Sequence, residues 1–259
     1  MHHHLFKILP TISWSKALKE LKDKGIKNHY LIEDHTDKCI GGFFETSPKD
    51  LLYLEEQPLT DTIDWQEQAQ LHCPYYKEGL IDIPLKDFGF DSSKNVKLHP
   101  GAGFGDLSHP TTKLMLHSMA RWVNSESLVL DIGSGSGILA LAAHIALGSK
   151  VLGLEIDPKA LELSKKNAVL NNALEVRFQT HISQETFNSF SVILLNMISS
   201  EQKEIFKAYC FKEFKGLIII SGVLNSEKDY YLKQLPLNNL KLLTSSSESD
   251  WICLVIENF

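Results

Sequence analysis

Three polar side chains each close an apolar run at a position suited to ligand chemistry. VLDIGSGSG, residues 129–137, places Asp131 at the end of such a run and then turns through Gly133, Gly135 and Gly137. KVLGLEI, residues 150–156, carries Glu155 near its end, and SVILLN, residues 191–196, ends on Asn196. As strands of one parallel sheet, the three runs would deliver these groups to its C-terminal edge, where open α/β sheets bind ligands.

The turn after Asp131 is made of small residues and leads into the helix-like ILALAAHIAL. Such a turn lets a ligand lie close to the backbone, with helix N–H groups facing its polar end. A dinucleotide site uses similar geometry, but its G-x-G-x-x-G fingerprint needs glycine where Ile138 stands. The Asp131 carboxylate would repel a pyrophosphate and suits a ligand that carries an ammonium group. S-adenosylmethionine has one on its methionine part, so Asp131, Gly133, Gly135 and Gly137 are read as its binding loop. The plainer alternative is a glycine turn that packs a helix on a sheet, with Asp131 and Glu155 placed by coincidence. Glu155 can accept hydrogen bonds from both ribose hydroxyls, a role shared with dinucleotide sites. The amide oxygen of Asn196, with a neighbouring backbone carbonyl, can hold an acceptor amine; the alternative is a strand-end Asn that caps a loop. His99, His109 and His117 show no metal-ligand spacing and are expected to pack or face solvent. No metal site is expected.

The elements that would position these groups follow from periodicity. From residue 109 onward, helical patterns and apolar strands alternate: LVLDI, ILALAAHIAL, KVLGLEI, PKALELSKKNAVLN, SVILLN, SSEQKEIFKAYCFKEF, GLIIISGVL and SEKDYYLKQL. This alternation predicts a doubly wound parallel sheet, with LKLLT and WICLVIE as an antiparallel hairpin at its end. Asp157 before Pro158 marks a helix start, and Ser199 with Gln202 has the spacing of a capping box. Upstream, LFKIL, SWSKALKELKDK, HYLIE and CIGGFFE read β-α-β-β, a small α+β domain. Ser13 is the expected cap of its helix and Gly25 its stop. Prolines 48, 58, 74, 84 and 100 break up residues 46–100, whose later part is read as a linker with one short helix near Asp64–Leu71.

Composition is ordinary for a globular chain, and no apolar run is long enough to span a membrane. The start, MHHHLFKILP, lacks the charged flank and apolar stretch of a signal peptide; its three histidines are assigned no function. Cys39, Cys73, Cys210 and Cys253 are scattered without a CxxC pair, which argues against a zinc site or a disulfide framework and fits a reducing cytoplasm. A net charge of −6 argues against general nucleic-acid affinity. Residues 31–91 hold 14 acids against 4 bases. That is either a solvated face or one that favours a basic protein partner.

GAGFGDLSHPTT at residues 101–112, together with VLDIGSGSGILALAAHIALGSKVLGLEIDPKALELSKKNAVLNN and LLNMIS, resembles the bacterial PrmA-type ribosomal protein methyltransferases. The resemblance runs from about residue 64 to the C-terminus. It implies a Rossmann-like methyltransferase sheet and S-adenosylmethionine-dependent N-methylation of lysine or N-terminal amines of large-subunit ribosomal protein eleven. It also implies that residues 101–112 lie over the cofactor: Phe104 covers it, Gly103 and Gly105 permit close approach, and Thr111 offers a hydroxyl. Asp106, Leu107 and Ser108 stand where the family pattern has Thr, Gly and Thr. Family members usually carry a full ferredoxin-like substrate domain, of which the β-α-β-β reading covers about half. The expected organisation is a small substrate-recognition domain (1–80), a linker and cofactor-covering loop (81–108), and a cofactor-binding methyltransferase domain (109–259). Alternatives are a methyltransferase for another protein lysine, a small-molecule methyltransferase, and a catalytically silent cofactor-binding homologue. A nicotinamide-dependent oxidoreductase is disfavoured by Asp131 and Ile138.

Overall fold

The computed structural model describes residues 2–33, 38–44, 48–57 and 65–259. Asp64, the expected first residue of the linker helix, and Pro58 lie outside them, as do Asp34, Asp37, Glu45 and Asp61 of the acidic stretch.

The chain begins with β1 (His2–Ile8), α1 (Trp14–Asp23), β2 (Lys27–Glu33), β3 (Lys38–Phe44) and β4 (Leu54–Gln57). These strands form an antiparallel sheet in the order β2-β3-β1-β4. The expected β-α-β-β unit is present, and β4, which sequence reading missed, completes a four-stranded sheet. The Ser13 hydroxyl caps α1 by accepting from Lys16 N–H, and Gly25, at φ 88°, ends the helix in the left-handed region. Trp14, Ala17, Leu18 and Leu21 form its buried stripe and join one core with Phe6, Ile8, Ile40 and Phe44.

Next come α2 (Trp65–His72), β5 (Tyr76–Lys77), β6 (Leu80–Pro84) and β7 (Asn95–Leu98). The stretch read as a linker is thus partly a three-stranded antiparallel sheet, β5-β6-β7. Alternating apolar residues hold it in place: Ile81, Ile83, Val96 and Leu98 are buried in the main core.

The remaining elements are α3 (Pro110–Trp122), β8 (Leu128–Ile132), α4 (Ile138–Leu147), β9 (Lys150–Leu154), α5 (Pro158–Leu170), β10 (Arg177–Gln179), α6 (Gln184–Asn188), β11 (Val192–Asn196), α7 (Ser199–Ala208), β12 (Gly216–Leu224), α8 (Lys228–Gln234), β13 (Leu240–Glu248) and β14 (Trp251–Asn258). They build a seven-stranded sheet, β10-β9-β8-β11-β12-β14-β13. The first five strands in that order are parallel, and β14 pairs antiparallel with β12 and β13. The doubly wound α/β expectation holds, and the final hairpin is present with β14 inserted next to β12. Successive residues alternate between two cores: Val129, Val192 and Leu194 belong to one face, Leu130, Ile193 and Leu195 to the other.

Two helix expectations fail at their ends. The helix expected through Phe214 stops at Ala208, because Tyr209, Phe211 and Phe214 turn inward around the Phe187 ring. Ser199 is not its cap: that position is Ile198, and Gln202 points into the protein instead of back to the helix start.

The small sheet is docked at the C-terminal edge of the large one. Trp14 meets Trp251 edge-on at 5.7 Å, and Lys38 Nζ pairs with Asp250 Oδ2 at 2.6 Å. Leu18 and Lys22 of α1 share a small cleft with Ile198, Ser199 and Gly222.

Candidate active site

Strand order reverses between β9 and β11 around β8, the switch point at which such sheets bind ligands. Register places Asp131 opposite Gly153 and Asn196 opposite Ser221, with Ile132 and Leu195 paired between them. Asp131, Glu155 and Asn196 therefore share the C-terminal edge, as their places in the sequence require.

The glycine loop is more self-contained than the sequence suggests. Gly133 and Ser134 donate to the Leu154 carbonyl, Gly135 to Glu155 Oε2 at 2.9 Å, Ser136 to the Phe104 carbonyl, and Gly137 to the Ser134 carbonyl. Every N–H group from 133 to 137 is engaged within the chain. The three glycines adopt φ of 72°, 54° and 83°, which a side chain would strain. A Cβ on Gly137 would stand 2.9 Å from the Phe178 ring, so that glycine makes room for Phe178. What the loop leaves open is hydroxyl chemistry. Ser134 Oγ and Ser136 Oγ are buried and find no hydrogen-bond partner among the described residues.

Asp131 is fully buried and accepts from Ala140 N–H at 3.2 Å. Burial pushes its carboxyl up to about 7; the Ala140 bond opposes that rise and the charge of Glu155 adds to it. Glu155 holds two backbone groups, Gly135 N–H and Asp157 N–H, both at 2.9 Å. A carboxylate has further lone pairs to offer a ligand. Asp157 caps α5 as expected, accepting from Lys159 and Ala160 N–H. Asn196 is buried, and its amide Nδ2 donates to Thr112 Oγ1 at 3.4 Å. The amide oxygen is not engaged among the described residues. The adjoining Met197 carbonyl accepts from Gln202 Nε2 at 2.6 Å.

Residues 101–112 lie directly on the glycine loop. A Cβ on Gly103 would meet Ser136 N at 2.6 Å and Gly135 C at 2.7 Å, and one on Gly105 would meet Ile138 Cγ2 at 2.7 Å. These glycines serve the approach of two protein segments rather than of a ligand. Phe104 is 47% exposed and meets His109 edge-on at 5.5 Å. Thr111 is not free: it is buried, with its hydroxyl 2.8 Å from His109 Nδ1. His109 is packed, as expected. It caps α3, and burial holds its imidazole down at about 3, with the Lys113 charge adding to that. Asp106 Oδ1 accepts from Ser108 N–H and Oγ, which closes a local turn. Leu107 sits in that turn at φ 69°, where the family pattern has glycine, and is fully buried.

Two residues escaped sequence reading. Ile156, 83% exposed just beyond Glu155, offers an apolar surface at the rim. Glu201, in the first turn of α7, has its carboxyl raised by burial and by the charge of Glu155. It is thus a third acidic group at this edge. Ile156 is carried here by Glu155, its neighbour in the chain, and Glu201 by the strand order that sets β11 beside β8. Among the described residues no cluster of metal-ligating side chains occurs, and no helix is long and apolar enough to cross a membrane.

The family model described as Ribosomal protein L11 methyltransferase (PrmA) matches residues 80–258. The chain belongs to the ribosomal protein L11 methyltransferase family. A relative of that name from Prochlorococcus marinus (strain MIT 9515) is 30% identical over 96% of this chain and 82% of its own length. Another, from strain AS9601 of the same species, is 37% identical over 64% of this chain and 57% of its own. A crystal structure of ribosomal protein L11 methylase from Lactobacillus delbrueckii subsp. bulgaricus superposes with a TM-score of 0.55 at 26% identity. It covers 65% of this chain and 88% of that one. Both the family resemblance and the methyltransferase sheet expected from the motifs hold.

Proposed function

We propose that the chain transfers the methyl group of S-adenosylmethionine to amino groups of ribosomal protein L11, at lysine or N-terminal amines. The observation that carries this reading is the gathering of Asp131, Glu155 and Asn196 at the switch point of a sheet of this family, beneath residues 101–112. The residues fit the cofactor. Ser134 and Ser136 bring two unsatisfied hydroxyls, Asp131 a carboxylate suited to the ammonium group, and Glu155 acceptor capacity for the ribose. Gly133, Gly135 and Gly137 keep the loop tight; Phe104 and Gly105 lie above it, and Thr111 supports Phe104 through His109.

When bound, S-adenosylmethionine supplies a methyl group on a sulfonium, already an excellent leaving group. The protein's task is to position and desolvate the amine. The amine must be neutral to attack, and a lysine of pKa about 10.4 pays about 4.6 kcal/mol to be neutral at pH 7. A desolvating pocket lowers that cost. Asn196 Oδ1 accepts an N–H of the amine and turns its lone pair toward the methyl group.

The small sheet (within 1–80) recognises L11, residues 81–108 carry β6, β7 and the covering loop, and residues 109–259 perform the transfer. Docking through Trp14 and Lys38 at the same edge as Asn196 supports this division. The four scattered cysteines and the ribosomal substrate suit the cytoplasm.

The reading is tested by supplying labelled S-adenosylmethionine and a mixture of unmethylated ribosomal proteins. Label confined to L11 is expected. Label on another protein would move the substrate, and cofactor binding without any transfer would make the chain a silent homologue.

A further inference from the structure

Gln202 is completely buried in the first turn of α7, where a polar side chain normally points to solvent. Its amide Nε2 donates to two backbone carbonyls at once, Met197 at 2.6 Å and Ser221 at 2.9 Å. Its Oε1 accepts from the Tyr231 hydroxyl on α8. Burial raises the pKa of that phenol, so it stays a donor.

Both carbonyls need this partner. The β12–β14 pairing shifts register between Ile220 and Val223, so the ladder is irregular at Ser221 and Gly222. Gly222 stands at φ 82°, and any side chain there would collide with the Met197 carbonyl. Met197 is the residue after Asn196, and Ser221 is its register partner on β12. The chain just past β11, together with β12, α7 and α8, therefore meets at one amide, which holds the Met197–Ile198 peptide, one peptide beyond the bond that follows Asn196.

We infer that Gln202, oriented by Tyr231, is a positioning residue for methyl transfer: it fixes the Met197 peptide so that Asn196 Oδ1 faces the acceptor amine. This rests on the proposed function, in which Asn196 holds the amine. The role needs two N–H donors and an acceptor in one side chain. Leucine supplies neither, and an ionised glutamate supplies only acceptors facing two carbonyls. The motif reading of Gln202 as half of a capping box turned its side chain back to the helix start and hid this role.

The test uses the full chain with Tyr231→Phe and Gln202→Glu. Tyr231→Phe keeps the ring and removes one donor. It is expected to lower kcat about 5-fold to 20-fold with cofactor Kd within about 2-fold. Gln202→Glu is expected to lose more at neutral pH and to recover in part as pH falls, because a protonated carboxyl regains one donor; the wild type should show no such recovery. In parallel, amide hydrogen exchange at Met197 and Ile198 should speed up at least 10-fold in Tyr231→Phe, with β9 unchanged. This readout does not need the reaction. Wild type that fails to transfer methyl would count against the functional reading. Unchanged exchange at Met197, or folded variants that keep the wild-type kcat, would overturn the positioning role. So would equal losses in kcat and cofactor affinity.

Discussion

The Phe104 carbonyl accepts a hydrogen bond from Ser136 N–H at 2.9 Å, which fastens the covering segment to the middle of the glycine loop. Gly103 lets the two backbones come that close, while Gly101 makes room for Leu163 and Gly105 for Ile138. With a Cβ only 2.6 Å from Ser136 N, Gly103→Ala forces backbone against backbone. A loss of about 1–3 kcal/mol is expected, read by denaturant unfolding, together with at least about 10-fold weaker cofactor binding. Phe104→Ala separates the two effects. Phe104 is half-exposed, so stability should change by less than about 1 kcal/mol, while cofactor affinity falls about 10-fold through lost cover.

Asn196 and Glu155 divide the work. Asn196→Ala should lower turnover by 10-fold or more while calorimetric cofactor affinity stays within about 3-fold. Equal turnover in mutant and wild type would remove the role assigned to Asn196. Glu155→Ala should mainly weaken cofactor binding, and it should also cost about 1–2 kcal/mol of stability. The stability cost follows because Gly135 and Asp157 N–H lose their acceptor.

Two buried groups give opposing pH slopes. Asp131 holds its proton in the folded chain up to about 7, well above its unfolded value. On its own it makes stability fall as pH rises from about 4 to 7. His109 is neutral in the folded chain down to about 3, below its unfolded value. Its contribution is present above pH ~6.5 and is lost as pH falls toward 3. Between about pH 4 and 6.5 the two cancel. In Asp131→Asn the His109 slope should emerge, with stability rising by about 1.4 kcal/mol per pH unit. In His109→Gln the opposite slope should appear. Urea midpoints across that window check both. The same linkage predicts that cofactor affinity rises by up to about tenfold per pH unit below about 7 as Asp131 ionises, and that Asp131→Asn flattens the rise.

Signals carried by neighbouring residues were legible in the sequence. The Asp157–Pro158 start and the Ser13 cap each involve bonds spanning a few residues, and both occur. Strand periodicity likewise gave the β11 and β12 cores. What escaped depends on partners far along the chain. Gln202 obeys Ser221, 19 residues away, and not Ser199. α7 ends early because Phe187 gathers Tyr209, Phe211 and Phe214. The β5–β7 sheet hid behind its prolines, although Pro84 sits at a strand end, where its missing N–H is tolerated. Glu201 reaches Glu155 only because β8 lies between β9 and β11.

The most direct test of the account is the intact mass of purified, unmethylated L11 after incubation with the chain and S-adenosylmethionine, compared with Asn196→Ala. The account predicts that L11 gains whole methyl units, mapped to amines, and that the mutant adds them at least 10-fold more slowly. An L11 mass that stays unchanged while the chain demonstrably binds S-adenosylmethionine would contradict it.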